Sequence, residues 1–537
     1  MRHPSWLRAA LLLTAALPIL GAGAPVPTPD RLKLPPIVFV SRDPIPDDPG
    51  AVPGLGPHHR AATTRGRLRW RSPDGSVRDL SRSIALLDVS HPSVSPDGGA
   101  VAFGGLRFDG DHWGIYRCDL ATGELLGPLD AEDVRLGSDL PVSSVDRVQP
   151  CWITDSLLCA VELATDTRTQ YTDLPVSRLV LLSACRDTPR DHLPGVVHRG
   201  SDFAAVAAAE ITPITHERNG AETPAFDPTT GRILYSRWWF NRWRASDDDP
   251  RGLTGDVAHA IARDTVNLWQ IVSIEPDGTD ERVEASGLTS RLQSMGYGPA
   301  VLADGSIVAT YASNLGLSPG PGVLGIQRFS PRIGHAERLV GAIVEAKGGS
   351  DYGSPHGLAA PAACDPVGLP DGRVLFSYAP GGRGDFGLYV MDRDGSHVGK
   401  VFDEPGSLEL DAAPVTRWHG AGTIPRPPDP PPTITQPAEL ATAPTFRFFD
   451  RDVFAGGHAR PGVHAAPPRA AGTRIRFWAA LPRPEAAGGD TAVLVREVPV
   501  RADGSVDERV PAGVPMFEQL VDAQGRVLRS VDGPAHV

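Results

Sequence analysis

The chain has 537 residues but only five cysteines, Cys118, Cys151, Cys159, Cys185 and Cys364. None of them falls in a CxxC or CxxCH spacing, so the chain offers neither a paired-thiolate zinc clip nor an attachment site for a c-type haem. A sparse, odd set is not the framework of a disulfide-built domain either. Cys151 and Cys159 flank one short turn and could pair across a hairpin in an oxidising compartment, but burial as free thiols, the usual state of unpaired Cys, is the favoured reading. HExxH is absent and the 16 histidines are scattered, which removes the helix-borne zinc-hydrolase pattern and leaves no metal ligands to name. Positive charge is also short. Lys and Arg total 52 against 64 Asp and Glu, a net charge of −12, so no summed field draws in a polyanion and no nucleic-acid partner is expected. Beyond the first two dozen residues no apolar run is long enough to span a bilayer as a helix, and stable membrane insertion is not expected.

What is abundant is turn chemistry. The chain holds 58 Gly and 54 Pro with 41% hydrophobic and 22% charged residues, the composition of a globular chain rich in short strands and turns. At the N-terminus, MRHPSWLRAALLLTAALPILGAGA places Arg2 and Arg8 before an apolar run from Ala9 to Leu20 and then the small residues Gly21 to Ala24. Those are the three regions of a secretory signal, so residues 1–24 are expected to be an export signal, with a periplasmic or extracellular mature protein.

Five stretches then repeat: PSVSPDGGAVAFGG from Pro92, PCWITDSLLCAVEL from Pro150, PAFDPTTGRILYSR from Pro224, PAVLADGSIVATYA from Pro299 and PVGLPDGRVLFSYA from Pro366. Each begins with Pro, passes a turn and enters an apolar β-rich run. The turn's Asp lies five residues after the Pro at Asp97, Asp155, Asp304 and Asp371, and the Pro224 copy carries an extra residue. Asp and Gly supply the left-handed positions of a tight hairpin, so the spacing predicts strand, turn, strand. Second hairpins follow from Trp113, Asn267, Val323 and Phe386, giving about four strands per unit, the content of a propeller blade. Asp392-Arg393-Asp394-Gly395 begins like a calcium loop but lacks the intermediate oxygen ligands, and reads as another turn.

A further unit is predicted from both ends of the repeats. PIVFVSR, Pro36 to Arg42, and the hairpin RLRWRSPDGSVRDL from Arg67 would be joined by LELDAAPVTRW from Leu408, which removes the exposed edges of an open array. The expected fold is therefore all-β, a six-bladed propeller over residues 25–423 closed by N- and C-terminal strands, with seven blades as the alternative. Residues 424–445, beginning IPRPPDPPPTITQP, are expected to be a stiff extended linker. Residues 446–537 alternate apolar and polar positions around Asp503-Gly504 and Gln524-Gly525, which predicts a small β-sandwich-like domain.

The P-x-x-x-P-D-G-x-x-V/L-x-F pattern resembles the TolB-type propeller repeat over residues 36–418. ILYSRWWFNRW, NLWQIVSIEPDGT, DGRVLFSYAPGGRGDFGLYVMDRDG and VPVRADGSVDERVPAGVPMFEQLVDAQGRVLRS look like the propeller and following domain of proteins similar to the hydrazine synthase alpha subunit. That resemblance implies export and, in many relatives, c-type haem. The haem motif has no counterpart in this chain, so the fold carries over and the cofactor does not; no cofactor is expected.

The aromatic and cationic stretch SRWWFNRWR, Ser236 to Arg244, leaves an apolar strand and enters a long loop. Propeller loops surround the central funnel, so Arg237, Trp238, Trp239, Arg242 and Trp243, with Asp351 and His356 of GGSDYGSPH, are the candidate ligand-binding residues. Packing between blades is the competing role for Trp238 and Trp239, which fall on opposite faces of the strand. Asp247 to Asp249 form an acidic loop that solvation alone explains. No catalytic set is expected. About 90 residues outside the repeats are too few for an α/β-hydrolase partner. The expected function is an exported binding or scaffold module holding a protein partner or small ligand at the funnel. The alternative is a subunit of a redox complex whose haem or metal comes from another chain.

Overall fold

In the computed structural model the described residues are 33–46, 48, 51–81, 86–129, 133–134, 141–169, 174–183, 211–217, 219–241, 266–285, 296–312, 324–329, 336–341, 361–381, 385–421, 434–450, 452–454, 469–482, 490–514, 516–526 and 528. They form an all-β molecule with six four-stranded antiparallel sheets. Five sheets are consecutive in the chain and begin with the strands Asp88–Val94, Arg147–Thr154, Ala221–Asp227, Tyr297–Val301 and Ala362–Gly368. In the remaining sheet Leu408–Pro414 pairs with Ile37–Arg42, which pairs in turn with Arg67–Arg71 and Val77–Asp79. The first strand of each sheet touches the first strand of the next, and the series returns to Leu408–Pro414. Four-stranded sheets in such a series are the units of a propeller.

Local chemistry accounts for the hairpins. In three of the turns Gly98, Gly305 and Gly372 adopt φ of 71°, 79° and 86°, the left-handed region that favours glycine. Their N–H groups donate back to Ser95, Leu302 and Leu369 at 2.8 to 2.9 Å. Asp97 accepts the N–H of Gly99 at 3.0 Å and Asp371 that of Arg373 at 3.1 Å, as Asx turns do. The turn at Asp392–Gly395 closes the same way, with Asp394 accepting from Ser396.

Cores lie between the sheets. Val38, Val40 and Leu68 meet Val101, Phe103 and Tyr116 of the following sheet, and Leu302, Val308 and Ile326 meet Ala363, Val374 and Phe376. Each fully buried Val, Leu or Phe contributes about 1.5–3 kcal/mol, so neighbouring sheets stabilise one another through these faces.

The sequence expectation needs adjustment at two points. The repeated Pro does not open the inner strands: they begin two to four residues earlier, at Asp88, Arg147, Ala221, Tyr297 and Ala362, because ladder bonds form on the N-terminal side of the Pro as well. The Pro-rich linker is also shorter than expected. Residues 422–433 lie outside the described set, but Ile434 is buried in the C-terminal core and its N–H bonds to Gly513. Pro437–Ala441 is a 3-10 helix whose Glu439 carboxylate takes the N–H groups of Thr435 and Gln436 at 2.8 and 3.0 Å. Pro437 sits in its first turn, where a missing N–H costs nothing.

The C-terminal residues form two antiparallel sheets, Thr445–Asp450 with Val506–Pro511, and Asp490–Pro499 with Arg474–Pro482 and Met516–Val521. They enclose a core in which Phe448 packs edge-on to Phe477 at 4.9 Å.

If Leu408–Pro414 completes the first sheet, its removal should be costlier than removal of everything after it. A chain ending at residue 421 is expected to elute as a soluble monomer in gel filtration, and one ending at residue 406 to aggregate. Equal behaviour of the two would sink this role for the strand.

Candidate functional site

The first strands of the six sheets each contain one residue in the left-handed region: His91 (φ 49°), Gln149 (53°), Thr223 (53°), Gly298 (62°), Asp365 (51°) and Asp411 (54°). Each marks a β-bulge, seen as a break in register at that point of the ladder. Five of the six immediately precede the repeated Pro. Five of them are not glycine, so each holds a conformation that costs L-residues about 1–2 kcal/mol. Something must offset that cost.

The offset is a ring of hydrogen bonds from one sheet to the next. His91 N–H donates to the Asp411 carboxylate at 3.1 Å, Thr223 N–H to Gln149 Oε1 at 2.8 Å, and Gly298 N–H to Thr223 Oγ1 at 3.2 Å. Asp411 N–H donates to the Asp365 carboxyl. Gly298 has no side chain to offer Asp365, and Thr310 Oγ1 takes its N–H instead at 3.1 Å. Between His91 and Gln149 the contact is side chain to side chain, Nε2 to Nε2 at 3.5 Å.

These residues floor a cavity of about 360 Å³ that runs along the inner strands. Above the floor its wall is a second ring, Pro92, Pro150, Pro224, Pro299, Pro366 and Pro414. Trp152, Phe226 and Trp418 stand among the apolar residues beyond, with Phe226 and Trp418 rings 5.4 Å apart. Beneath the floor the channel meets a plug, residues 51–57, all buried. Gly54 and Leu55 of the plug line the cavity. Gly54 sits so close to His91 that an added Cβ would lie 2.8 Å from the imidazole, and its φ is 89°.

Buried charges tie the plug down. Arg60 pairs with Glu222 and donates to Pro175 O at 2.6 Å. Glu222 also receives Tyr297 OH at 2.7 Å, and that hydroxyl accepts Gly56 N–H at 3.0 Å. Arg42 pairs with Asp88 at 3.2 Å and holds Ala62 O at 2.7 Å and Thr64 Oγ1 at 2.9 Å. Breaking one partner of such a pair costs about 3–5 kcal/mol, since it strands the other charge in the interior.

Electrostatically the floor is acidic. Burial, with the Asp411 charge added, raises the Asp365 carboxyl to about 7. Burial lowers the His91 imidazole below its ordinary value against the opposing pull of Asp411, which lies 3.6 Å away. No Lys or Arg is among the described residues that line the cavity.

The residues expected from sequence lie elsewhere. Arg237 is buried away from this cavity, with its guanidinium on Gln270 Oε1 at 2.8 and 3.0 Å and on Glu281 at 2.6 Å. Glu217 lies 3.9 Å from it, accepts Tyr235 OH at 2.7 Å, and is raised to about 8, chiefly by burial. Trp238 is core: it stacks on Trp269 at 5.6 Å, which meets Tyr297 edge-on at 4.9 Å. Trp239 is placed opposite Leu268 by its backbone. Arg242, Trp243, Asp351 and His356 lie outside the described residues, as does Cys185. Cys151 and Cys159 stand opposite one another in register, yet both are free thiols in place of the disulfide their spacing allows. Burial pushes Cys151 up to about 12 and Cys159 well up, which keeps both protonated and inert.

No group of three or more His, Cys, Asp or Glu suited to a metal occurs among the described residues. The chain carries one G-x-S-x-G string, Gly316 to Gly320, outside the described residues. It is not a nucleophile elbow, because Pro319 follows the serine and has no N–H to give an oxyanion hole.

Sequence reading missed the ring because its members share a backbone conformation and not a residue type. The available signal was a polar residue directly before four of the five repeated prolines, His91, Gln149, Thr223 and Asp365.

No family model matches the chain, and no curated protein matches it. Among solved structures it is similar to Kuenenia stuttgartiensis hydrazine synthase at 16% identity and a TM-score of 0.60, over 93% of this chain and 67% of that one. TolB from Acinetobacter baumannii is similar at 12% identity and a TM-score of 0.40, over 70% of this chain and 66% of that one. The likeness to hydrazine synthase is one of fold alone, a propeller-type series of four-stranded sheets.

The raised Asp365 carboxyl links stability to pH. The folded chain keeps this proton up to about 7, while an unfolded aspartate loses it near 3.8, so the folded state binds more protons between those values. Its contribution is fully present below that window and is lost as pH rises through it. Asp365→Asn fixes the neutral form, so in urea melts it is expected to gain on wild type as pH rises from 3.8 to about 7 and to gain no further above that. A difference that does not change with pH would refute the raised Asp365 carboxyl.

Proposed function

We propose that the chain is an exported six-bladed β-propeller, closed by pairing of Leu408–Pro414 with Ile37–Arg42, that works as a non-catalytic binding module through its central channel. Residues 1–24 are its export signal, residues 25–423 its propeller, and the two small sheets beyond the Pro-rich segment a separate C-terminal domain. One observation carries the reading: the cavity is plugged at the ring end and lined by prolines and aromatics toward the other, a receptacle rather than a passage. Its hydrogen-bonding groups are spent on holding neighbouring strands, which suits recognition better than proton transfer. Concave, mostly apolar sites with a few convergent polar groups are the usual form of small-ligand pockets.

A second reading, a subunit of a redox complex, is favoured by the fold likeness to hydrazine synthase. Covalent haem does not fit this chain's own donors. Cys151 and Cys159 are buried in an apolar core and neither is followed by histidine, so the haem would have to belong to a partner.

Two measurements test the proposal. The mature protein recovered from the exporting cell should begin near residue 25, and an intact Met1 on the exported form would rule out the signal. In thermal-shift screening of chemically diverse small molecules, at least one class should raise the Tm of wild type and lose that effect in Gly298→Trp, which places an indole in the ring's open position. Stabilisation that survives this block, or a haem Soret band that co-purifies with the chain, would favour the second reading.

A further inference from the structure

We propose that the channel binds a small organic monocation, an amine with an apolar body, with its ammonium at the Asp365–Asp411 pair and its body between the proline ring and Trp418. This rests on the binding reading above and names its ligand.

Four observations converge on that class. Size comes first: about 360 Å³ lies near the lower end of the range of about 300–1,000 Å³ for ligand pockets, which fits a small molecule better than a peptide segment. Charge comes second. His91, Asp365 and Asp411 are the titratable floor groups, and the nearby cations Arg42 and Arg60 are taken up by Asp88 and Glu222. An anion would find no counter-charge here, and a neutral ligand would leave the Asp411 charge that raises Asp365 uncompensated.

Third, the ring has a gap. Of its six positions only Gly298 lacks a side chain, and a Cβ built there would have only Thr310 Oγ1 near it, at 4.0 Å. In ring order this space adjoins Asp365, which adjoins Asp411, so the open position and the acidic pair are contiguous. An ammonium seated there meets carboxylate oxygens already held in place by the N–H groups of Asp411 and His91.

Fourth, the far end is built for an apolar body. Trp418 is half-buried, packs on Phe226 and donates its indole N–H to Val94 O at 3.3 Å, which leaves its ring face as part of the wall. The prolines add rigid apolar surface without N–H donors. Burial and the Asp411 charge make Asp365 reluctant to ionise alone, and an arriving ammonium supplies the missing counter-charge.

The test is isothermal titration calorimetry on the full chain with 2-phenylethylammonium, its neutral isostere 2-phenylethanol, and 3-phenylpropionate. The amine is expected to bind at least tenfold more tightly than the alcohol, and the carboxylate not to bind. Asp411→Asn should weaken the amine at least tenfold and leave the alcohol unchanged. Gly298→Lys, which tethers an ammonium in the gap, should abolish amine binding. Trp418→Ala, at a half-buried site, should weaken amine and alcohol together and stands in should either ring variant melt far below wild type. Equal affinity for amine and alcohol, or binding of the carboxylate alone, overturns the monocation and leaves the binding reading intact. Failure of all three probes, with no other class stabilising wild type, overturns both.

Discussion

The inner edge of each sheet is the constraint on which the rest depends. A strand beside a narrow channel has no partner on that side, and its unpaired N–H and C=O groups would be buried without satisfaction or open to unwanted pairing. Two devices remove the donors here. Proline deletes one N–H per strand, at Pro92, Pro150, Pro224, Pro299 and Pro366, and at His91, Thr223, Gly298 and Asp365 the left-handed residue before it gives its N–H to a neighbouring sheet. The sequence's most visible repeat, its regularly placed Pro, is therefore an edge treatment. The recurring bulge and the polar ring both follow from it.

Because the ring bonds run between sheets, they tie the first strands of neighbouring sheets to one another. The apolar clusters hold sheet faces together farther out, and the plug locks the closed end with Arg42–Asp88 and Arg60–Glu222. Arg60 and Glu222 together engage Pro175 and Ser177 of one strand and Tyr297 of another sheet. A buried pair of this kind adds little net stability over an apolar substitute, but it fixes one arrangement at the expense of others. The closed end is thus specified by charge and the open end by apolar surface.

Sequence made the hairpins legible because a turn is decided within four or five residues, and Asp-Gly at a fixed offset from Pro is a local, physical signal. It also assigned Leu408–Pro414 to the N-terminal strands, since a lone β-like run at the end of the repeats needs an edge to join. The candidate site was not legible in that way. Arg237 is correctly read as part of a strand, but its partners Gln270 and Glu281 lie more than thirty residues away, and only their burial together turns a cationic rim into a packed charge cluster. Ile434 joins the C-terminal core from within a Pro-rich segment for the same reason: one apolar residue's fate depends on a surface supplied elsewhere in the chain.

The strand that completes the first sheet also delivers Asp411 to the ring, so completing that sheet and completing the candidate site are one event. Val38 and Ala413 come into register across an interval that spans nearly all the repeats. Contacts of such sequence separation form late and carry the largest loop-closure entropy. Until they form, Asp365 faces an open edge, His91 lacks its acceptor and the acidic pair does not exist. A ligand that needed both carboxylates, as proposed above, would therefore bind only a molecule in which Leu408–Pro414 has paired. By mass action it would stabilise that pairing to the extent of its affinity. The ring's hydrogen bonds join neighbouring sheets and satisfy its buried polar groups at once, which is why a floor of polar residues can persist in an interior that would otherwise select against them.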